Sequence, residues 1–208
     1  MSSARDIILA RIAVSSEPTA EYNAIERTYQ TKGTLDQNEK LDLFVERLIE
    51  YGTGVHRCPA SEIAATIAGR LSEGRGGSIA VPKDIPGEWL PAGFQFLPDH
   101  ELSYDQLECC DGVVTGCAVA IAETGTIILD GTAAQGRRAL TLLPDYHLCV
   151  VFESQIFETV PEAVQVLSQA KSRPLTLISG PSATADIEMT RIQGVHGPRF
   201  MDVVLVSL

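Results

Sequence analysis

Residues 115–131, TGCAVAIAETGTIILDG, set the reading of the whole chain. Two apolar runs, Ala118–Ala122 and Thr126–Leu129, flank the polar break Glu123-Thr124-Gly125. Each run is too short for a free-standing helix. β-type runs on either side of a glycine-containing break predict two strands meeting at a turn or bulge. A carboxylate at such a break stands at the end of a buried element, where apolar walls would enclose it and chemistry could use it. Glu123 is therefore a candidate nucleophile, base or ligand anchor, and the alternative is a turn glutamate facing water.

Working outward, Ser3 predicts a first helix with Ile8, Leu9 and Ile12 on one face, followed by a polar stretch with scattered apolar residues. The chain then divides into an N-terminal helical arm, 1–33, and a main domain, 34–208. Asp36 with Glu39 three residues on reads as a capping box, and Leu41, Phe44, Val45, Leu48 and Ile49 keep helical spacing up to Gly52. Pro59 opens a further helix with Ile63, Ile67 and Leu71 on its stripe, and Ser103 with Gln106 marks one more turn. Another helix starts between Thr159 and Glu162, with Val164, Leu167 and Ala170 expected inward. Strands are expected at 54–58, 78–81, 94–97, 148–153, 175–179 and 203–206. Strands alternating with helices predict an α/β fold with a mixed or partly parallel sheet flanked by helices.

The chain has 208 residues, 45% of them hydrophobic, and a formal net charge of −11. That length and composition belong to a globular protein able to bury a core without staples. Its acidity argues against nucleic acid as a main partner, because neutralising phosphates needs a basic face. Five cysteines, at 58, 109, 110, 117 and 149, form no C-x-x-C pair, so neither a disulfide framework nor a zinc or iron–sulfur motif is expected. Arg11 interrupts the apolar start of the chain, and no apolar run is long enough to span a bilayer. A soluble cytoplasmic protein with free thiols is expected. Phosphate-loop, dinucleotide and nucleophile-elbow signatures are missing. His56, His100 and His147 stand alone and read as structural or surface groups.

Two further stretches carry chemistry. Ser179–Glu188, SGPSATADIE, leaves a predicted strand through Gly180, whose backbone could approach a ligand, and Pro181, which stiffens the exit. Ser182, Thr184 and Asp186 then offer groups for a phosphate or carboxylate, or simply cap the next turn. Gly194–Arg199, GVHGPR, holds His196 between glycines, where it could act as acid, base or hydrogen-bond donor or could fix the turn through a carbonyl. No second histidine lies near it, so no metal is expected.

AETGT at 122–126, SGPSATADIE at 179–188 and GVHGPR at 194–199, in that order, resemble the LUD-domain family, the lactate utilisation protein C group. Where the family pattern carries a basic residue between the Ser and Thr of the second motif, this chain has Ala183. The resemblance implies a sheet similar to that of the ribose-5-phosphate isomerase, CoA-transferase and formyltetrahydrofolate cyclo-ligase group. It also implies an accessory or substrate-binding subunit in the oxidation of L-lactate to pyruvate. Iron–sulfur clusters are then expected on partner proteins and no cofactor in this chain, with a small anionic metabolite as ligand. Glu123 and His196 are the implied catalytic residues, with Thr124, Gly125, Ser179, Gly180, Pro181, Ser182, Thr184, Asp186, Gly197 and Arg199 around the ligand. An alternative is an independent acyl- or CoA-transferase-like enzyme using Glu123, since Glu123-Thr124-Gly125 is similar to the nucleophile arrangement of that group. A purely structural assembly protein is a third reading.

Overall fold

The structure, a computed structural model, describes residues 3–15, 24–26, 28–73, 77–168, 173–184, 192–193 and 197–207. Contacts divide the chain into two units, Met1–Gln30 and Thr31–Leu208. The first unit contains helix α1 (Ala4–Ser15). Its start is closed by Ser3, whose Oγ accepts the Asp6 N–H at 3.2 Å while its own hydroxyl donates to Asp6 Oδ2 at 2.8 Å.

The second unit opens with α2 (Gln37–Glu50) and its expected capping box. Asp36 Oδ1 accepts the N–H groups of Asn38 and Glu39 at 2.8 and 2.9 Å, and Glu39 Oε2 accepts the Asp36 N–H at 3.0 Å. Leu41, Phe44 and Leu48 are buried, whereas Ile49, on the margin of the predicted stripe, is exposed. Gly52 leaves the helix at φ +82°, a conformation that favours glycine. The chain continues through β1 (Gly54–Pro59) and a 3-10 turn to α3 (Ile63–Ser72), which buries Ile63, Ile67 and Leu71 as their spacing predicts. There follow β2 (Ser78–Pro82), β3 (Gln95–Asp99), α4 (Tyr104–Glu108), β4 (Gly112–Thr115), β5 (Val119–Ile121), β6 (Thr126–Leu129) and β7 (Tyr146–Phe152). The remaining elements are β8 (Ile156–Phe157), α5 (Val160–Ser168), β9 (Thr176–Ile178), β10 (Ala183–Thr184), β11 (Ile192–Gln193) and β12 (Phe200–Ser207).

Six strands form the main sheet in the order β1-β12-β7-β4-β2-β3, and every neighbouring pair is parallel. A parallel sheet is covered on both faces, which is why the central strands YHLCVVF and FMDVVLVS are nearly continuous apolar runs. A smaller sheet, β8-β5-β6-β9, holds the opening stretch. Here β5 and β6 are the predicted strand pair, running antiparallel, and β9 extends them. Among the described residues, antiparallel pairing is confined to this small sheet and to the β10–β11 pair.

Alternation along the strands distributes the core. Val114, Leu148, Val150, Val204 and Val206 pack with Ile63, Ile67 and Leu71 of α3 on one face. Cys149, Val151, Met201, Val203 and Leu205 meet Leu41, Phe44 and Leu48 of α2, together with Ala120, Ala122, Ile127 and Ile156 of the small sheet, on the other. The small sheet's outer residues Val119, Ile121 and Ile128 rest on Ala163 of α5. Fully buried side chains such as Phe44 and Leu48 each stabilise the fold by about 1.5–3 kcal/mol. Val164, expected inward, is instead 52% exposed, because Ala163 with Leu167 one turn on forms the stripe that meets the small sheet. Ala170 lies outside the described residues. A buried carboxylate, Asp202, ties β12 to β7 and α3 by accepting from Tyr146 Oη at 2.7 Å and Arg70 Nε at 3.0 Å. Among the described residues, no helix is long and apolar enough to cross a membrane.

Candidate functional site

The AETGT break is a tight turn between β5 and β6, stitched to the last residue of β8 and the one that follows it. The Ala122 N–H donates to Phe157 O at 2.8 Å and the Glu123 N–H to Glu158 O at 3.0 Å. Gly125 adopts φ +58°, and a Cβ there would lie 2.8 Å from Arg47 Cβ and 3.1 Å from the Arg47 carbonyl carbon. The glycine thus lets the turn close on the last turn of α2. The expected apolar enclosure of Glu123 is not found. Ile121, Ile127 and Ile128 point into the faces of the small sheet, while the turn carries Glu123 off the sheet and into exposure.

A ladder of hydroxyls leads from this turn to the second motif. Thr124 Oγ1 and Thr126 Oγ1 lie 2.7 Å apart, and Thr126 Oγ1 is 2.8 Å from Ser179 Oγ. Gly180 follows at φ +79°, where a Cβ would stand 2.5 Å from Tyr51 Cβ. Its close approach, expected toward a ligand, is made to the residue that ends α2. The Ser182 N–H then donates to Pro198 O at 2.8 Å, and Gly197 brings its backbone against Ser182. The described parts of the three motifs therefore meet. Thr184 lies in β10, and Asp186 and His196 fall outside the described residues. Arg199 is exposed, with Nε 3.5 Å from Asp145 Oδ1, and lies apart from the cavities described next.

Beside this junction is a cavity of about 340 Å³, in the size range of small-ligand sites. Gly180, Pro181, Ser182 and Gly197 line it with Arg138, Thr141 and His147, and no carboxylate does so among the described residues. His147, in β7, is only 1% exposed. Its Nε2 is 2.8 Å from Thr115 Oγ1 on β4, and its Nδ1 has no hydrogen-bond partner among the described residues. The Thr115 hydroxyl also reaches Cys149 Sγ at 3.8 Å. The hydrogen bond with Cys117 draws the Cys149 thiol down to about 5 despite burial, with His147 adding to the effect, and the same bond and burial push Cys117 up. Reading His147 as an isolated structural group missed this placement. The available signal was its position two residues before Cys149 in an apolar run, which puts both on one buried strand face.

A larger cavity of about 570 Å³ adjoins it, sharing Arg138, Thr141 and Thr176, at the carboxyl ends of β2, β3 and β6. Its charges are largely matched. Arg137 forks onto Asp99 with Nε and Nη2 at 2.7 and 3.1 Å, and Arg173 Nη1 lies 3.5 Å from Asp130. Burial would raise the Asp99 carboxyl, but Arg137 and the Leu102 N–H hold it below the usual carboxylate range. Asp130 is likewise depressed against burial, by the Thr132 hydroxyl and N–H. Glu123 lines neither cavity, so the expected pocket for an acyl-transfer nucleophile is not formed around it. Among the described residues, no group of three His, Cys, Asp or Glu side chains is placed to hold a metal ion.

Fold and loops define a class first: a mixed α/β domain on a parallel main sheet, with its glycine-bearing loops gathered at one cleft. The LUD domain matches residues 97–206, more than half of the chain, and the chain belongs to the LUD-domain family. It is similar to a protein of Deinococcus radiodurans named Lactate utilization protein C, with 47% identity over 86% of this chain and 85% of that protein. A Bacillus subtilis protein of the same name is 31% identical over 60% of this chain and 54% of its own length. A crystal structure of a DUF162 family protein from Deinococcus radiodurans superposes with a TM-score of 0.73 at 44% identity, covering 83% of this chain and 99% of that one.

Proposed function

We propose that this chain is an accessory or substrate-binding subunit in lactate utilisation, working beside iron–sulfur proteins that take the electrons of L-lactate as it becomes pyruvate. The observation that carries this reading is the similarity to a relative named Lactate utilization protein C over most of both chains. The meeting of three loop motifs beside a small cavity supports a binding role, since rigid loops around a concave site are what small-ligand recognition uses. In this reading the iron–sulfur clusters and any membrane attachment belong to partners, and the chain contributes a site for a small anionic metabolite in the cytoplasm. Glu123, exposed on its turn, is available to a partner protein or to a substrate held between subunits.

The test is capture of the tagged full chain from cells grown on lactate, combined with deletion and complementation. Co-purified iron–sulfur proteins and loss of growth on lactate in the deletion strain are expected. Normal growth of that strain with no iron–sulfur partner recovered would sink the reading. Reconstituted turnover with Glu123→Gln then decides whether the turn carboxylate takes part in chemistry. A positioned acid or base should cost about a hundredfold or more in rate.

A further inference from the structure

We infer that His147 and Arg138 form a carboxylate-binding subsite in the smaller cavity, taking the acid group of a small monocarboxylate of the 2-hydroxy or 2-oxo type. This rests on the substrate-binding reading above and names the groups that would hold the substrate.

Charge points to it first. The chain carries a net −11, yet the described lining of this cavity contains a guanidinium and an imidazole and no acid. Arg138 has no ion pair among the described residues, whereas its neighbour Arg137 is forked onto Asp99. A guanidinium left over beside a cavity is suited to a planar carboxylate, which it can grip with two parallel hydrogen bonds.

His147 supplies the second observation. A buried polar atom in a folded protein nearly always has a partner, and one that lacks it calls for an explanation. Here the ring lines the cavity, is 1% exposed and leaves Nδ1 unsatisfied among the described residues. Thr115 fixes the opposite nitrogen. Of the two contacts its hydroxyl can feed, the one to Nε2 at 2.8 Å is far shorter than the one to Cys149 Sγ at 3.8 Å. In the proposed subsite the Thr115 hydroxyl gives its proton to Nε2, and the neutral ring then carries its own on Nδ1. Protonating the ring also leaves a proton on Nδ1, so in either state this atom is a donor awaiting an acceptor. A carboxylate seated between Nδ1–H and the Arg138 guanidinium satisfies both, and the remaining volume of the cavity accepts the short chain that carries it.

The experiment is calorimetric titration of the full chain with L-lactate, pyruvate and, as an uncharged isostere, L-lactamide. Both acids should bind and compete with each other, with the amide at least tenfold weaker. Arg138→Gln should weaken the acids about tenfold, and Arg137→Gln should leave them unchanged. His147→Gln, which keeps a polar atom for Thr115 but removes the donor near Nδ1, should also lose about tenfold. His147→Asn, with its amide near the Nδ1 position, should retain more affinity than the glutamine variant. Should the histidine variants fail to fold, the ¹⁵N signal of His147 Nδ1 in the unaltered protein replaces them, and it should shift on adding lactate. The subsite is wrong if neither acid binds, if acid and amide bind alike, if Arg138→Gln is silent, if the order of the two histidine variants reverses, or if the Nδ1 signal does not move. Failure here with iron–sulfur partners still captured would leave the accessory reading standing. Acid binding without such partners would do the opposite.

Discussion

Two cavities lie side by side, share Arg138, Thr141 and Thr176, and differ in how far their walls satisfy themselves. In the larger one Asp99 is gripped by Arg137, and Asp130 accepts from Thr132 and faces Arg173. A ligand entering there must compete with partners already in place, and displacing a formed ion pair returns little net free energy. Arg138, without an ion pair among the described residues, belongs to both walls, and only the smaller cavity adds a buried ring nitrogen without a partner among those residues. Volume ranks the cavities one way and unsatisfied polarity ranks them the other. The second ranking is the better guide to binding, because what a wall lacks is what a ligand can supply.

The contrast can be broken at its strongest point by Gly180→Ala. Gly180 lines only the smaller cavity, and its φ of +79° and its seat 2.5 Å from Tyr51 Cβ leave no room for a methyl group. The substitution should cost about 2–4 kcal/mol, and a thermal melt should fall by about 5–15 °C. An unchanged melting temperature would mean that this wall is not held by its contact with α2. Arg137→Gln attacks the other side of the comparison, removing the fork on Asp99. A loss of about 1–3 kcal/mol at neutral pH is expected, because the Asp99 side chain is only 6% exposed and is left without its fork. Because Asp99 titrates lower in the folded chain than in the unfolded one, this contribution is present near neutrality and disappears as pH falls through the folded value. Denaturant curves of the two proteins should therefore converge in acid, and a gap that persists there would contradict the pairing. Glu123→Gln should change stability by less than about 0.5 kcal/mol, since an exposed turn carboxylate off both cavities has little to lose. A larger change in its melting curve would show that Glu123 helps hold the small sheet. Least perturbing is native thiol labelling. Cys109 is exposed and the other four cysteines are buried, so a single fast-reacting thiol is expected. Rapid labelling of Cys149, whose thiol is drawn down to about 5, would show that the wall behind His147 opens.

Legibility in the sequence followed the range of the interactions. The Asp36–Glu39 capping box and the Leu41, Phe44, Leu48 and Ile63, Ile67, Leu71 stripes involve neighbours one turn apart, and the residues alone specify them. Pairing of β5 with β6 was equally local. The face of α5 was not, because the small sheet decides whether Ala163 or Val164 turns inward. Site chemistry divided in the same way. Glycines at 125 and 180 announced positive φ and close approach, but nothing near them in sequence said that Arg47 and Tyr51 would be the surfaces approached. Glu123 drew notice from its apolar neighbours, which turned out to serve the sheet faces. His147 was overlooked because its significance arises from parallel register, which brings Thr115 of β4 across to β7.

Seating both motif glycines on the last turn of α2 also has a consequence in time. The contacts of Gly125 with Arg47 and of Gly180 with Tyr51 join points far apart along the chain. Such contacts form only after long loops have closed, whereas the α2 cap and the β5–β6 pair draw on local sequence. The cleft wall is then expected to assemble after those local elements, as is the β1–β12 pairing, which joins residues still farther apart. Interactions absent from the folding transition state act on the rate of unfolding. If these contacts form after the transition state, the last turn of α2 is a latch, adding little to the rate of folding and slowing the loss of the finished cleft.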